Sequence, residues 1–495
     1  MSTPLLCETV TGRSMAELLA ARDASTAADM VELRLDGVAD LDVAGALRER
    51  RRPVVVTCRP EWEGGRFHGS EVERHEILER ALALGAEHVD IEWAALLQGP
   101  QPAFADLVRR NPSRIVLSSH DFDGVPSTLE HRVRDMREWG AGVIKVAVMA
   151  RALTDTLPLL DIARGGDAVV VAMGDAGVVS RLLAARYGSR WTYAGQAIAP
   201  GQIPASAMLG EFRFRDVSPR TRLFGVVSSS AMHSLSPVLH NAAFAAAGID
   251  AVYVPLQTGD FDDFLQFASA LGIEGASVTI PFKGDALRAA ASADDLTRQV
   301  GAANTLRRES DAWVARNTDV AGFLAPLDET FSGQLSGSRA SVIGAGGSAR
   351  AVVVALLSRG ARVSVHARRP EQAMDVTGSL GAEIGEWPVP PGSWDLLVNC
   401  TPLGGAARRD ESPLPGGPFT GRLVYDLTYG PGESALQREA REAGCATLDG
   451  LPMLIAQAGR QFEWWTGQAP APGVMREAAQ TKLGISPRFR VTAAG

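Results

Sequence analysis

Lysine is rare in this chain, and two of its three lysines lie in apolar surroundings. Lys145 lies in the apolar run 143–149, Lys283 follows an alternating strand pattern, and Lys482 lies in a polar C-terminal segment, where we expect no chemical role. A guanidinium cannot form an imine, so lysines kept in an arginine-rich chain are candidates for chemistry. Because burial favours a neutral amine, we expect a lowered pKa and an imine-forming role for Lys145. A lysine that only extends from a strand end is the alternative.

Acid–base and ionic side chains follow the ends of neighbouring predicted strands. His120 ends the strand before that of Lys145, which makes it a candidate base beside the amine. Glu32 and Arg34 share one face of the second strand by alternation, and Arg59 and Glu63 follow the third strand. These groups are expected to converge around one small polar ligand.

A glycine-rich turn in the second half favours dinucleotide binding. Residues 341–350 read as a short strand, a turn and a helix that is expected over residues 351–358. Without Cβ atoms, such a turn can take positive φ and let a diphosphate approach the helix N-terminus. Glycine also serves strand-to-helix turns for steric reasons alone, which is the alternative. The residues of this turn are Gly344, Ala345, Gly346, Gly347 and Ser348.

The next strand ends in Ala367, Arg368 and Arg369. NAD-binding proteins place an acidic residue at this position, on the ribose 2′-hydroxyl. Two guanidinium groups suit a 2′-phosphate instead, so the segment predicts NADP rather than NAD. Ordinary solvated cations are the alternative.

Eight apolar strand patterns in the first half position these groups. They begin near residues 5, 31, 54, 88, 115, 143, 168 and 191, with amphipathic helical patterns between them, such as residues 71–84 and 128–139. This order predicts an α/β fold that starts with a (β/α)8 TIM-type barrel over residues 1–217, whose active site lies at the C-terminal strand ends. Residues 211–222 are polar and aperiodic, and they read as a linker.

The remaining chain predicts two α/β lobes. We expect a small substrate-binding lobe over residues 218–330, a Rossmann-like lobe over 331–450 and a helical segment over 451–495 that packs back on the first lobe. Ser236 is predicted to cap a helix that starts with proline, and Asp319 to cap a helix that begins at Val320. Capping does not account for Ser234, and two hydroxyls at a helix N-terminus also suit a carboxylate.

Six ordered motifs of the first half, ELRLD, CRPEWEGG, SSHDF, IKVAVM, MGDAGVVSRL and APGQ, resemble type I 3-dehydroquinate dehydratase. The resemblance implies that Lys145 forms a Schiff base with the substrate ketone, that His120 is the general acid/base and that Glu63 orients it. Arg181 is implied as the clamp for the substrate carboxylate, since a planar guanidinium binds a carboxylate through two hydrogen bonds. The whole implied substrate-binding set is Glu32, Arg34, Arg59, Arg181, Gln202 and Thr9.

Seven ordered motifs of the second half, HSLSPVLHN, SVTIPFK, GAANT, NTD, GAGGSAR, NCTPLG and DGLPMLIAQA, resemble shikimate dehydrogenase. The resemblance implies that Lys283 and Asp319 form the catalytic pair and that NADP is the cofactor. The implied substrate-binding residues are Ser234, Ser236, Thr279, Asn304, Gln457 and Tyr429. The implied cofactor-binding residues beyond the glycine turn and the two arginines are Thr401, Leu427 and Gly450.

Three positions depart from the patterns of these families. Ile198 stands where many relatives carry serine, which puts one hydroxyl contact in doubt. Gly405 stands where methionine is frequent, and Pro452 replaces a glycine. We expect the last two to alter loop rigidity rather than activity.

Composition excludes several other classes. The formal net charge is −8 and no basic cluster exists, so nucleic acid and anionic membrane are not expected partners. The four cysteines lack metal-site or disulfide spacing, and no run of about 18 apolar residues or charged leader exists. We therefore expect a cytoplasmic protein without a metal.

The two resemblances describe consecutive reactions, because the product of the dehydratase is the substrate of the dehydrogenase. They predict a bifunctional enzyme that converts 3-dehydroquinate through 3-dehydroshikimate to shikimate with NADPH. One alternative is a catabolic variant that oxidises quinate with NAD. The other is an inactive, quinate-responsive regulator, and the retained lysines count against it. The sequence leaves the oligomeric state open.

Overall fold

The computed structural model describes residues 3–97, 102–195, 200–331 and 334–485. The chain divides into two compact units. The first comprises Met1–Arg222 and Asp250–Gly272, and the second comprises Leu223–Ile249 and Ile273–Gly495.

The first unit contains an eight-stranded parallel sheet. Its strands are β1 (Leu5–Val10), β2 (Met30–Arg34), β3 (Val54–Thr57), β4 (His88–Glu92), β5 (Ile115–Asp121), β6 (Val143–Met149), β7 (Ala168–Met173) and β8 (Trp191–Ala194). They follow the order β7-β6-β5-β4-β3-β2-β1-β8, so that the first strand pairs with both the second and the eighth. This is the order of a nearly closed (β/α)8 barrel, which confirms the predicted fold class.

Helices follow the barrel strands. Those between successive strands are α1 (Met15–Ala24), α2 (Val43–Leu47), α3 (Glu71–Ala83), α4 (Pro102–Arg110), α5 (Leu129–Glu138), α6 (Leu157–Ala163), α7 (Val178–Leu182) and α8 (Ala184–Tyr187), and α9 (Ala205–Gly210) follows β8. Helix α3 begins with a capping box between Ser70 and Glu73. The strands are buried on both faces, as in β3, where all four residues are buried, which explains why they read as continuous apolar runs.

A mixed sheet follows. It consists of β9 (Arg222–Ser228), β10 (Ala251–Gln257), β11 (Ile273–Val278), β12 (Ser292–Ala293), β13 (Thr305–Glu309) and β14 (Ala312–Arg316), in the order β10-β9-β11-β13-β14-β12. The helices of this region are α10 (Ser236–Ala246), α11 (Phe261–Leu271), α12 (Lys283–Ala289), α13 (Asp295–Val300) and α14 (Asp319–Thr330). Strands β9 and β11 are parallel neighbours, so the loops that follow them lie at one edge of the sheet.

The last sheet is fully parallel. Its strands are β15 (Arg339–Ile343), β16 (Arg362–His366), β17 (Glu383–Ile384), β18 (Leu396–Asn399), β19 (Leu423–Asp426) and β20 (Ala446–Leu448), in the order β17-β16-β15-β18-β19-β20. This doubly wound order confirms the Rossmann-like fold. The accompanying helices are α15 (Gly347–Ser358), α16 (Pro370–Leu380), α17 (Ala435–Glu442), α18 (Leu451–Thr466) and α19 (Val474–Leu483).

Four local predictions differ from the structure. Helix α15 begins at Gly347 rather than at residue 351, because the glycine turn leads directly into helical backbone. Ser236 and Asp319 are the first residues of their helices and not the caps. Residues 211–222, predicted as a polar linker, contain the buried side chains of Phe212, Phe214 and Val217.

No helix within the described ranges has both the length and the apolar character needed to cross a lipid bilayer.

Candidate active sites

Lys145 lies inside the barrel in a cage of acidic and aromatic groups. Its side chain is only 7% exposed. The Nζ atom donates to Asp90 Oδ2 at 3.0 Å and to Glu32 Oε1 at 3.2 Å. The ring of Tyr193 lies 4.5 Å from Nζ, a distance at which its π face attracts a cation. The amine is therefore buried and paired rather than extended into solvent.

The predicted lowered pKa of Lys145 is wrong for the ligand-free protein. Burial alone would lower it, but attraction by Asp90 and then by Glu32 outweighs burial and raises the pKa of the amine above its ordinary value. The same attraction lowers the pKa of Glu32 despite its burial. The amine therefore rests as an ammonium between two carboxylates and has to release a proton before it can act as a nucleophile.

His120 and Glu63 form a direct pair at the ends of β5 and the segment after β3. His120 Nδ1 lies 2.9 Å from Glu63 Oε1, and the backbone N–H of His120 donates to the same oxygen at 2.9 Å. Burial, followed by repulsion from Arg59 and Lys145, places the pKa of His120 well below its ordinary value. Burial raises the pKa of Glu63 to about 8. The imidazole is thus neutral near pH 7 and able to accept a proton.

The predicted arginines of the barrel divide into two kinds. Arg59 donates to Glu92 and Ser118 and pairs with Asp90 at 2.9 Å, so the protein itself occupies its guanidinium. Arg34 makes a two-bond pair with Asp36, at 2.8 and 2.9 Å. Both guanidinium groups are thus paired with carboxylates of the protein, and Arg59 holds Asp90, which also binds the amine of Lys145.

Arg181 is the exception, since it is buried and no carboxylate of the described residues pairs with it. It is 1% exposed, and within those residues its guanidinium donates to the backbone oxygens of Ala172 and Pro200. Its Nε has no acceptor in the part of the chain that the structure describes. Desolvation lowers its pKa to about 10. A buried cation without a counter-ion is costly, and an anion beside it would offset that cost.

The remaining predicted residues of the barrel fall near these groups where they are described. Thr9 Oγ1 donates to Glu32 Oε2 at 2.9 Å. The side chain of Gln202 is half-buried and lies against Gly195 at the end of β8. Ile198 lies outside the described residues.

Sequence reasoning missed Asp90, Glu92, Ser118 and Tyr193. Asp90 and Glu92 alternate within the otherwise apolar strand β4, so both face the barrel interior, as Glu32 and Arg34 do in β2. Two carboxylates at alternating positions of a buried strand were the available signal. Tyr193 carried none, because an aromatic residue in a strand is ordinary packing.

In the second unit, Lys283 and Asp319 form a buried ion pair. The Nζ atom donates to Asp319 Oδ2 at 2.6 Å, and the two side chains are 9% and 7% exposed. The first backbone N–H groups of α14 are instead accepted by Asn317 Oδ1, which performs the capping that was predicted for Asp319. The carboxylate of Asp319 is therefore available for the lysine.

A hydrogen-bonded amide cluster extends this pair. Asn304 Nδ2 donates to Asp319 Oδ1 at 2.8 Å and to Gln457 Oε1 at 2.9 Å, so the structure brings together two predicted substrate-binding residues and one predicted catalytic residue. The buried Gln461, one turn further along α18, accepts from Ser277 at 2.8 Å and donates to Thr305. Sequence analysis did not single out Gln461, and its position one turn after Gln457 was the available signal.

The hydroxyl residues of the substrate lobe lie at the shared edge of β9 and β11. Ser234 Oγ accepts the backbone N–H of Ser236 at 3.1 Å, so Ser234 and not Ser236 acts on the start of α10. Thr279 directly follows β11, and its backbone N–H donates to Val227 at the end of β9. Burial raises the pKa of Tyr429, which also hydrogen-bonds the backbone of Leu235.

The predicted cofactor residues line the C-terminal edge of the Rossmann-like sheet. Gly344 has φ of +107°, and a Cβ atom there would lie 3.2 Å from Thr401 Cγ2. A Cβ atom on Gly450 would lie 2.0 Å from the carbonyl oxygen of Leu427, so only glycine fits there. Around the Cβ position of Gly346, by contrast, no described heavy atom lies within 4 Å. The turn is therefore closed toward the sheet and open toward a ligand.

Arg368 and Arg369 are exposed directly after β16, preceded by the half-buried Ala367. Within the described residues, neither guanidinium has a hydrogen-bond or ion-pair partner. The open glycine turn, the N-terminus of the twelve-residue helix α15 and these two cations fit a phosphorylated dinucleotide.

Both halves of the chain are similar to known proteins. The family model of type I 3-dehydroquinase matches residues 6–219, that of the shikimate dehydrogenase substrate binding domain matches 226–306, and that of the shikimate 5′-dehydrogenase C-terminal domain matches 450–480. The chain is 31% identical to the chloroplastic bifunctional 3-dehydroquinate dehydratase/shikimate dehydrogenase of Arabidopsis thaliana, over 90% of this chain and 78% of that protein. It is 41% identical to shikimate dehydrogenase (NADP(+)) of Hyphomonas neptunium, over 50% of this chain and 93% of that protein.

Among solved structures, shikimate 5-dehydrogenase of Thermus thermophilus in complex with NADP(H) and shikimate aligns at 32% identity with a TM-score of 0.48. The alignment covers 53% of this chain and all of that one.

Proposed function

Because the chain belongs to the bifunctional 3-dehydroquinate dehydratase/shikimate dehydrogenase family, we propose that Lys145 and His120 dehydrate 3-dehydroquinate and that Lys283 and Asp319 serve the reduction of the product. We assign the first step to residues 1–217 and the second to residues 218–495. The observation that carries this assignment is that both amines are buried on carboxylates, one in each unit.

The dehydration begins at the amine of Lys145. The ammonium gives a proton to neutral His120 on the neighbouring strand β5, and the free amine attacks the ketone, which loses water to become a protonated imine. The imine withdraws electrons and acidifies the adjacent C–H. The proton that His120 gained from Lys145 leaves in the water that is released as the imine forms, so His120 is neutral again. His120 then takes the proton of the acidified C–H and gives it to the departing hydroxyl, which leaves as water. Hydrolysis of the imine frees the lysine and the product.

Glu63 holds the imidazole during these transfers. A carboxylate that accepts from Nδ1–H leaves the lone pair of Nε2 toward the substrate, which is the form that a base requires. The 2.9 Å contact between His120 Nδ1 and Glu63 supports this role.

Arg181 is proposed to bind the substrate carboxylate. No counter-ion for this cation lies among the residues that the structure describes, so a carboxylate that enters the site would satisfy both its charge and the unpaired Nε. Glu32, Arg34, Arg59 and Thr9 are proposed to shape the floor of the same site. Gln202 is proposed to contact a substrate hydroxyl.

The reduction needs a hydride on carbon and a proton on oxygen. NADPH supplies the hydride when bound. The ammonium of Lys283, fixed by Asp319, is proposed to donate the proton and to stabilise the developing alkoxide. We propose that hydroxyl and amide groups of the second unit bind the carboxylate and hydroxyls of the substrate. These groups belong to Ser234, Ser236, Thr279, Asn304, Gln457 and Tyr429.

The cofactor is NADP, and we propose that the glycine turn and the two arginines distinguish it from NAD. Arg368→Ser should weaken NADP binding about tenfold and leave NAD binding unchanged, because only NADP carries the 2′-phosphate. Arg362→Ser, at the opposite end of β16, is the matched control and should change neither affinity. Equal losses for both cofactors in Arg368→Ser would remove the argument for phosphate recognition and favour the variant that uses NAD and quinate.

The combined activity is tested by supplying 3-dehydroquinate with NADPH and following the loss of absorbance of the reduced cofactor. Borohydride added with 3-dehydroquinate should trap an adduct on Lys145, located by peptide mass. No adduct on the intact chain would favour an inactive, ligand-responsive protein instead.

We propose the cytoplasm as the place of action. The four cysteines are free, and burial raises the pKa of the Cys7 and Cys445 thiols, which fits unreactive thiols in a reducing compartment. Cell fractionation with antibodies against the chain would test this.

A further inference from the structure

The catalytic amine of the second unit also contacts the glycine turn. Lys283 Nζ donates to Ser348 Oγ at 3.3 Å, in addition to its 2.6 Å bond to Asp319. Ser348 is the second residue of α15 and thus lies where the N-terminus of this helix would meet a phosphate. The proposed proton donor is therefore bonded to a side chain of the proposed cofactor site.

The stem of Lys283 packs on the same turn. A Cβ atom on Gly347 would lie 3.0 Å from Lys283 Cδ and 3.4 Å from its Cβ. A side chain at position 347 would press on the lysine stem, which would have to shift by a few tenths of an ångström. The turn and the lysine therefore cannot move independently without loss of this packing.

The contact closes an unbroken chain of hydrogen bonds. From Gln457 on α18 it runs to Asn304 at 2.9 Å and from Asn304 to Asp319 at 2.8 Å. From Asp319 it continues through Lys283 to Ser348. The proposed substrate groups are thus connected to the proposed phosphate site by side chains alone.

Ser348 has hydrogen-bonding capacity left. A hydroxyl has one proton and two lone pairs, and in the described structure one lone pair is used by Lys283 while the proton has no acceptor. The same hydroxyl is therefore able to accept from the ammonium and donate to an anionic phosphate oxygen. A donor that bonds an anion becomes a better acceptor, since hydrogen bonds in a chain polarise one another.

We propose that Ser348 is a positioning residue that couples binding of the phosphorylated dinucleotide to binding of the hydroxy-acid substrate. With its proton on the phosphate, Ser348 holds the ammonium of Lys283 more firmly toward the substrate, so that each ligand tightens the other. This inference rests on the proposed function of the second unit.

The coupling is measured with shikimate and NADPH together. Both ligands are in their reduced forms, so no hydride transfer occurs during the measurement. Calorimetry gives the Kd of shikimate alone and at saturating NADPH. We expect NADPH to tighten shikimate binding about tenfold, which is near the lower end for one hydrogen bond to a charged group and lies within a typical coupling. In Ser348→Ala this ratio should fall to nearly one, and in Ser348→Thr, which keeps the hydroxyl, it should remain.

The affinity of NADPH is measured separately by its fluorescence. Coupling is reciprocal, so the tightening of NADPH by shikimate should equal the tightening of shikimate by NADPH and should disappear in the same variant. A reduced NADPH affinity in Ser348→Ala with an unchanged coupling ratio would make Ser348 a phosphate ligand only and would overturn the proposal. A ratio of one in the unmodified protein would also overturn it.

Failure of the underlying function gives a different result. If the unmodified protein binds neither shikimate nor NADPH, the proposed reductase itself is wrong. If it binds both and only the coupling is insensitive to the hydroxyl, the reductase stands and the role of Ser348 is refuted. Dehydratase turnover in each preparation checks that the variant chains are intact.

Discussion

The charge of Glu63 determines which nitrogen of His120 can act as a base. When the carboxylate is ionised, it accepts Nδ1–H and leaves Nε2 free; when it is protonated, it donates to Nδ1 and turns Nε2–H toward the ligand. Since burial raises the pKa of Glu63 to about 8, both forms exist near neutral pH. The proposed base is therefore controlled by its neighbour as much as by its own pKa.

Dehydratase kcat/KM should accordingly rise with pH through about 8. In Glu63→Gln this limb should disappear, with a loss of about a hundredfold at pH 9, because a neutral amide cannot stabilise the imidazolium. A pH–rate series on both proteins checks this. An unchanged limb in Glu63→Gln would assign the titration to another group.

The same carboxyl links stability to pH. Its folded pKa lies above its ordinary value of 4.5, so the stability that it contributes is fully present below pH 4.5 and is lost as pH rises through about 8. The unfolding temperature of Glu63→Gln minus that of the unmodified chain should therefore be larger at pH 9 than at pH 5. Thermal unfolding at the two pH values tests the sign, and a constant difference would contradict it.

Burial also shifts the pKa of Arg181, in this case downward, and the proposed partner of this guanidinium is the substrate carboxylate. Arg181→Met keeps most of the side-chain volume and should raise the KM for 3-dehydroquinate about thirtyfold or more, the cost of one charge-assisted hydrogen bond. The control is Arg110→Met, whose guanidinium pairs on the surface with Asp106 and Glu79. Initial-rate kinetics of both variants give the comparison. Equal KM values would remove Arg181 from the substrate site.

The positions of the strands were predictable from the periodicity of the sequence, whereas the exact first residues of the helices were not. All eight barrel strands start within one residue of the prediction, because buried parallel strands give unbroken apolar runs. Capping by Asp319, the alternative to its catalytic role, does not occur, because Asn317, two residues earlier, accepts the N–H groups at the start of α14. A one-dimensional pattern contains no signal that decides between two capping side chains.

The composition of the site shows the same limit. Lys145 and Lys283 were recognisable because charge within an apolar run is rare, and Asp90 and Glu92 obey the same rule in β4. The direction in which the pKa of Lys145 shifts was not predictable, since it depends on which carboxylates of other strands lie beside the amine. Burial and ion pairing act on it in opposite directions, and only the distances to Asp90 and Glu32 decide which is larger.

Helix α18 offers a test of packing at its N-terminus. Gly450→Ala would place a methyl group 2.0 Å from the Leu427 carbonyl oxygen and should destabilise the second unit by about 2 kcal/mol. Gly459→Ala lies on the same helix, where the nearest described atom is Pro470 Cγ at 3.7 Å, and should stabilise it by about 0.5 kcal/mol. The free energies of unfolding of the two variants are compared by urea unfolding, with dehydrogenase activity as the signal. Equal effects would contradict the steric argument.

For the whole molecule, the two proposed reactions use separate amines in separate units. Lys145→Ala should abolish dehydration and leave the reduction of 3-dehydroshikimate intact, and Lys283→Ala should do the reverse. An equimolar mixture of the two variants should convert 3-dehydroquinate to shikimate, because the intermediate can pass between chains through solution. Loss of both activities from either single variant would mean that the sites depend on one another.

The burial of Lys145 and Lys283 has a practical consequence for handling the protein. Lys482 is the remaining lysine, and it is exposed on α19. Amine-directed dyes, cross-linkers and biosensor surfaces should therefore attach at this one side chain and at the chain's amino terminus, far more readily than at the two shielded amines. A reagent that labels most proteins at many lysines should therefore modify this one at few positions.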